Sequence, residues 1–195
     1  MNTIIENQPA DQILARRDVA LSEKRWREGQ RRQASSVTTL GVHHTAVAGG
    51  MSPGKRRLAR HGGDLTSAKT ERYRNLPYHA VYSPQLAASI IQWPAWMYTS
   101  HGHRMNSYSI GWAIDMDSRS ETPNPELVIL AGSHVVYHFR DRGCPIRYLE
   151  THSQHSNKPH DPGPWVLEHI LKPLAQRCGL EIRFDRSSGK GKPLS

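Results

Sequence analysis

Between residues 36 and 178, short strand-like runs take turns with helical patterns, and that order commits the chain to an α/β domain. A β-prone run at 37–42 ends in the pair His43-His44, and further strands are predicted at 78–82, 107–115 and 146–151. In the third of these the side chains alternate. Ile110, Trp112 and Ile114 share one face, while Gly111, Ala113 and Asp115 share the other. Residues 126–142 read as a helix, with Leu127, Leu130, Ala131, His134, Val135 and His138 at helical spacing and Arg142-Gly143 as its stop. A second helix is predicted over 164–178. Pro164 stands in its first turn, Leu167, Ile170, Leu171 and Leu174 form its apolar face, and Gly179 caps it. The segment 84–99, with Trp93, Pro94 and Trp96, reads as an insertion lining a groove. No internal repeat is evident.

The rest of the 195-residue chain has a different character. Residues 1–35 form a charged arm, expected to be helical and solvated over 11–32, where Arg16, Arg17, Asp18, Glu23, Lys24, Arg25, Arg27 and Glu28 crowd together. Residues 49–74 carry Lys55, Arg56, Arg57, Arg60, Lys69, Arg72 and Arg74, and read as a loop and then a helix that faces an anionic polymer. Residues 186–195 are a flexible basic tail. No run is long and apolar enough to span a membrane, and the first eleven residues lack the apolar region of a secretory signal. The expectation is cytoplasmic synthesis without a signal peptide. The two cysteines, Cys144 and Cys178, are expected to be reduced thiols rather than a disulfide framework.

A formal charge of +9 favours anionic partners: nucleic acid, phospholipid surfaces or acidic wall polymers. No helix-turn-helix, zinc-finger or RNA-binding signature accompanies it, so a specific nucleic-acid partner is not expected. The twelve histidines say more, because several cluster. One cluster, Val42-His43-His44-Thr45-Ala46, closes a strand. The other runs from Thr151-His152 through His155, Asn157, Lys158 and His160 to Asp161-Pro162-Gly163, between a strand and a helix. A catalytic zinc site commonly takes three protein ligands and leaves a fourth position open. One histidine of the first cluster, with His152 and Asp161 of the second, would supply them. No single tight motif such as H-E-x-x-H is present.

Several stretches recur in a characteristic order: Val42-His43-His44-Thr45-Ala46, Pro77-Tyr78-His79-Ala80-Val81, His101-Gly102 with Asn106 and Ser109-Ile110-Gly111, then His152 to Lys158 and Asp161-Pro162-Gly163. In this the chain resembles the type-2 N-acetylmuramoyl-L-alanine amidases, a family that includes phage endolysins, cytoplasmic wall-recycling amidases and animal peptidoglycan-recognition proteins. The resemblance covers about residues 37–178. It implies a single domain with a central mixed β-sheet flanked by helices, here residues 36–185. It further implies Zn2+ as cofactor, with His43, His152 and Asp161 as ligands and His44 as the alternative first ligand. It makes Tyr78 and Lys158 the catalytic residues.

Two departures from the family pattern stand out. Pro159 and His160 both lie between Lys158 and Asp161, which leaves His160 as a second candidate for the oxyanion contact. Where some relatives carry a glutamate base, Ala113 stands here, with Asp115 the nearest carboxylate. Thr45, Ser153 and Asn157 are candidates to support the ligands. Trp93, Trp96, Tyr98 and Trp112 could either line a surface for sugar rings or fill the core.

The function so implied is hydrolysis of the amide between N-acetylmuramic acid and L-alanine in peptidoglycan. A phage or prophage endolysin is preferred, acting as a monomer on the polymeric wall after release, with anionic wall polymers as further partners. The alternatives are a noncatalytic peptidoglycan-binding module and a cytoplasmic recycling amidase.

Overall fold

Two strands are buried on both faces and set the frame for everything else. They are β2 (Thr39–His44) and β5 (Ser109–Ile114), paired in parallel with Gly41 opposite Gly111 and His43 opposite Ala113. The computed structural model describes residues 4–6, 32–45, 78–84, 87–91, 93–99, 101–116, 118–155 and 161–183. Among the described residues, seven strands form one sheet in the order β1-β4-β3-β5-β2-β6-β7. The other strands are β1 (Ile4–Glu6), β3 (Ala80–Ser83), β4 (Ala88–Ile91), β6 (Tyr148–Thr151) and β7 (Glu181–Ile182). Only β3 and β4 run antiparallel, so the sheet is mixed.

The alternation seen in the sequence sorts the two faces. Leu40, Val42, Ile110, Trp112, Ile114 and Leu149 belong to one apolar core with the helices. Burying a large apolar side chain completely contributes roughly 1.5–3 kcal/mol, so this face carries much of the stability. The opposite face of the central strands bears Thr39, Gly41, His43, Ser109, Gly111 and Ala113, which are small or polar and equally buried. That face holds the site.

Helix α1 (Pro125–Arg140) covers the apolar face. Asn124 caps it, accepting from the N–H groups of Glu126 and Leu127, and Pro125 opens its first turn. Its buried residues are Val128, Ala131, Gly132, Ser133, Val135, Val136 and Phe139. Of the face expected from spacing, Ala131 and Val135 are buried, but Leu127, Leu130, His134 and His138 are only half-buried, so the inward face is rotated. The reason is Trp112. A β-carbon on Gly132 would stand 2.6 Å from Trp112 Cη2, so the helix meets the indole at a residue with no side chain.

After β6 comes the single turn α2 (His152–His155). The last helix, α3, runs through Pro164–Val166, a wide π-helical turn at Leu167–Leu171, and Lys172–Cys178. The wide turn precedes Pro173, whose ring would strike the carbonyl four residues earlier in a regular helix. Leu167, Ile170, Leu171 and Leu174 are buried as the spacing predicted, and Gly179 closes the helix at φ 60°.

Strands β1, β4 and β7 and the turn α2 were not expected from sequence. Residues 84–99, read as an insertion, contain β4. Cys144 and Cys178 are buried and free. The basic stretch at 49–74, the tail from 186 and nearly all of the helix predicted at 11–32 lie outside the described residues. No described helix is long and apolar enough to cross a membrane.

Candidate metal centre

The site assembles at the end of β2 because two chain reversals bring distant residues there. His43 projects from β2 on the face opposite Val42 and is fully buried. His152 is the first residue after β6, and α2 is tied back to that strand. His155 Nε2 lies 2.9 Å from Glu150 Oε2, which also accepts from the Tyr108 hydroxyl at 2.8 Å. Asp161 sits in the turn before α3. Its carboxylate Oδ1 accepts from the His44 backbone N–H at 2.9 Å, and its carbonyl accepts from the Ser153 N–H at 2.7 Å.

Ligand-capable atoms of His43, His152 and Asp161 all lie within 4.8 Å of one another. His152 Nδ1 is 2.6 Å from Asp161 Oδ2, and His43 Nδ1 is 3.7 Å from Asp161 Oδ1. Residues 118 positions apart in sequence, His43 and Asp161, are thus held in one cluster. His44, the alternative first ligand, is turned away; its Nδ1 accepts from the Ser118 N–H at 3.1 Å. Strand alternation separates the two histidines, and the His44 main chain contributes by orienting Asp161.

The carboxyl group of Asp161 is strongly acidic. Burial alone would raise its pKa, but the hydrogen bond from His152 and the electrostatic influence of the two neighbouring imidazoles outweigh burial and hold it well below the usual carboxylate range. Two imidazoles and one carboxylate are a donor set suited to catalytic zinc. Bonds of about 2.0–2.1 Å in a tetrahedron place ligand atoms roughly 3.3 Å apart, close to the 3.7 Å between His43 and Asp161. The short contact from His152 to Asp161 is a hydrogen bond whose proton a bound cation would displace. The residues present fit zinc.

Tyr78 stands beside the cluster, its ring centroid 5.0 Å from that of His43, and it packs against Val81 and Ala113. Ala113 is fully buried beneath it, so no carboxylate occupies the place where some relatives carry a glutamate. Asp115 lies past the strand end and accepts from the Thr45 hydroxyl at 3.0 Å, which gives Thr45 a partner other than a ligand. Of the candidate supports, Ser153 reaches Asp161 through its backbone, while Asn157, Lys158 and His160 lie outside the described residues. Trp112 belongs to the core and donates to Ser89 Oγ at 3.1 Å, and Trp93 is also buried; Trp96 and Tyr98 are half-buried.

Behind His43 lies a polar layer with no role assigned from sequence. His101 and His79 are fully enclosed and neutral, because burial and then neighbouring positive groups, Arg32 among them, pull both well below the ordinary histidine pKa. Arg32 donates from Nε to Ala95 O at 2.7 Å and from Nη1 to Asn106 O and Ser109 O at 2.7 and 2.8 Å. Burial lowers its pKa to about 10, which leaves it charged at neutral pH. Nothing in the charge-rich stretch around Arg32 marked it as a residue that turns inward.

No family model and no curated protein matches the sequence. Solved structures do match. N-acetylmuramoyl-L-alanine amidase LysC from Clostridium intestinale is similar at 13% identity over 93% of this chain and 100% of its own, with a TM-score of 0.58. The Ph2119 endolysin from a Thermus scotoductus bacteriophage matches at 15% identity, covering 90% and 99%, with a TM-score of 0.57. A Drosophila PGRP-LB variant in complex with tracheal cytotoxin matches at 14% identity, covering 77% and 86%, with a TM-score of 0.55. The chain has the fold that these amidases, endolysins and peptidoglycan-recognition proteins share, as its sequence motifs implied.

Proposed function

We propose that this protein is a zinc-dependent N-acetylmuramoyl-L-alanine amidase that hydrolyses the bond between N-acetylmuramic acid and L-alanine in peptidoglycan, in the manner of a phage or prophage endolysin. The observation that carries this reading is the convergence of His43, His152 and Asp161 on one point. Endolysin amidases among the structural neighbours support it, as does the neighbour bound to tracheal cytotoxin, and the charge of +9 suits a polymeric wall with anionic components.

His43, His152 and Asp161 would hold the metal. Zinc bound there would supply Lewis acidity, activating water at neutral pH and polarising the scissile carbonyl. Water adds to the carbonyl carbon, the C–N bond breaks, and the departing alanine nitrogen takes up a proton. Tyr78, beside His43, orients the attacking water or hydrogen-bonds the developing oxyanion. Lys158 is assigned to the oxyanion as a fixed positive charge, with His160 as the alternative. One oxyanion donor contributes about 2.7–4 kcal/mol, so Lys158→Ala is expected to lower kcat by about 100- to 1,000-fold while zinc stays bound.

The test is metal content and wall clearing on one preparation, wild type beside His152→Ala. About one zinc per chain with wall clearing in the wild type, and neither in the variant, is the expected result. Zinc without clearing on any wall type would instead favour a peptidoglycan-binding module. No zinc at all would overturn the ligand set.

A further inference from the structure

His101 is built into the floor of the sheet behind the metal-facing edge of His43. A β-carbon on Gly111 would stand 2.5 Å from His101 Cγ, and one on Gly41 would stand 3.1 Å from its Cε1. Those glycines are opposite each other in the β2–β5 register, so the ring occupies a cradle made by two absent side chains.

Both nitrogens of His101 are engaged. Its Nδ1 lies 3.0 Å from His43 Nε2, and its Nε2 lies 3.2 Å from Ser109 Oγ. The Ser109 hydroxyl lies 2.6 Å from the Met105 carbonyl. A carbonyl only accepts, so Ser109 donates to it and offers a lone pair to His101. His101 Nε2 therefore carries the proton, and in a neutral ring Nδ1 is then bare. It accepts from His43 Nε2–H. With its proton on Nε2, His43 turns a lone pair at Nδ1 toward Asp161, where the ligand-capable atoms gather.

The turn that carries these groups is clamped twice. The Gly102 N–H donates to Asn106 Oδ1 at 2.6 Å, and Arg32 donates to Asn106 O and Ser109 O.

We propose that His101 is a positioning residue that sets the His43 tautomer, through a relay from the Met105 carbonyl and Ser109, so that Nδ1 is ready to bind zinc. The inference rests on the metal reading above. Ligating histidines generally need a partner on their other nitrogen, and removing such partners weakens metal binding by about 10- to 100-fold.

The test joins two measurements. Nitrogen–proton correlation NMR of the metal-free wild type is expected to show His43 protonated on Nε2. Zinc affinity by chelator competition is expected to fall about 10- to 100-fold in His101→Phe. His101→Asn should recover much of that loss, because its Oδ1 stands near the place of Nδ1. A His43 proton on Nδ1 in the wild type, or wild-type zinc affinity in His101→Phe, overturns the relay. If His101→Phe does not fold, Ser109→Ala decides: a mixed His43 tautomer supports the relay and an unchanged one overturns it. A wild type that takes up no zinc would overturn the metal reading, while the tautomer in metal-free protein still decides the relay.

Discussion

The candidate site depends on residues with no side chain at all. Gly41 and Gly111 leave the space into which His101 fits, and His101 in turn faces His43. Gly111→Ala would place a β-carbon 2.5 Å from His101 Cγ and 2.9 Å from its Cβ. Neither atom lies at the free end of a flexible chain, so the histidine must move. The expected result is a loss of about 1–3 kcal/mol in urea unfolding, together with weaker zinc binding. Wild-type stability and affinity in that variant would show that the cradle has slack. At this scale the sequence marked the three donors that the fold brings together, and Ser153 beside them, but not the buried layer behind them. His43, His152 and Asp161 were legible as donors in ordered motifs. Arg32 and His101 acquire their surroundings only when segments about seventy residues apart meet.

Three elements place the site residues by their boundaries as much as by their packing. β2 delivers His43 on its last turn of the pleat, the α2 turn delivers His152, and the approach to α3 delivers Asp161. The four strands read from alternation and the two long helices were found within a few residues of their ends. Strands β1, β4 and β7 are three, four and two residues long, too short to show a period of two. The rotated face of α1 has a similar cause. Spacing placed Ala131 and Val135 correctly but not Leu127, Leu130, His134 and His138, because the close approach of Trp112 to Gly132 turns the helix. Helix α1 lies on the sheet face away from the metal centre, which makes it a control. Asn124→Ala removes the acceptor for two N–H groups and should cost about 1 kcal/mol, seen as a lower Tm, with zinc affinity unchanged. A change in zinc affinity would mean that the two faces of the sheet are coupled.

The molecule as a whole divides its labour across the sheet, with an apolar face for stability and a small, polar, buried face for chemistry. Cys144 belongs to the first. Burial pushes its thiol up to about 11, so the native state keeps the proton after the unfolded chain has lost it. The sign follows: this contribution is fully present below the ordinary thiol pKa near 9 and fades as pH climbs toward 11. Urea midpoints measured from pH 8 to 10.5 should fall more steeply for the wild type than for Cys144→Ala. Parallel slopes would contradict that placement.

Mass spectrometry of the products from a defined muropeptide, with zinc-loaded protein, shows directly which bond is cut. The expected products are an intact sugar carrying the lactyl carboxylate and a free peptide beginning with L-alanine, with no new reducing end. A product cut within the glycan or between two amino acids of the stem would contradict it.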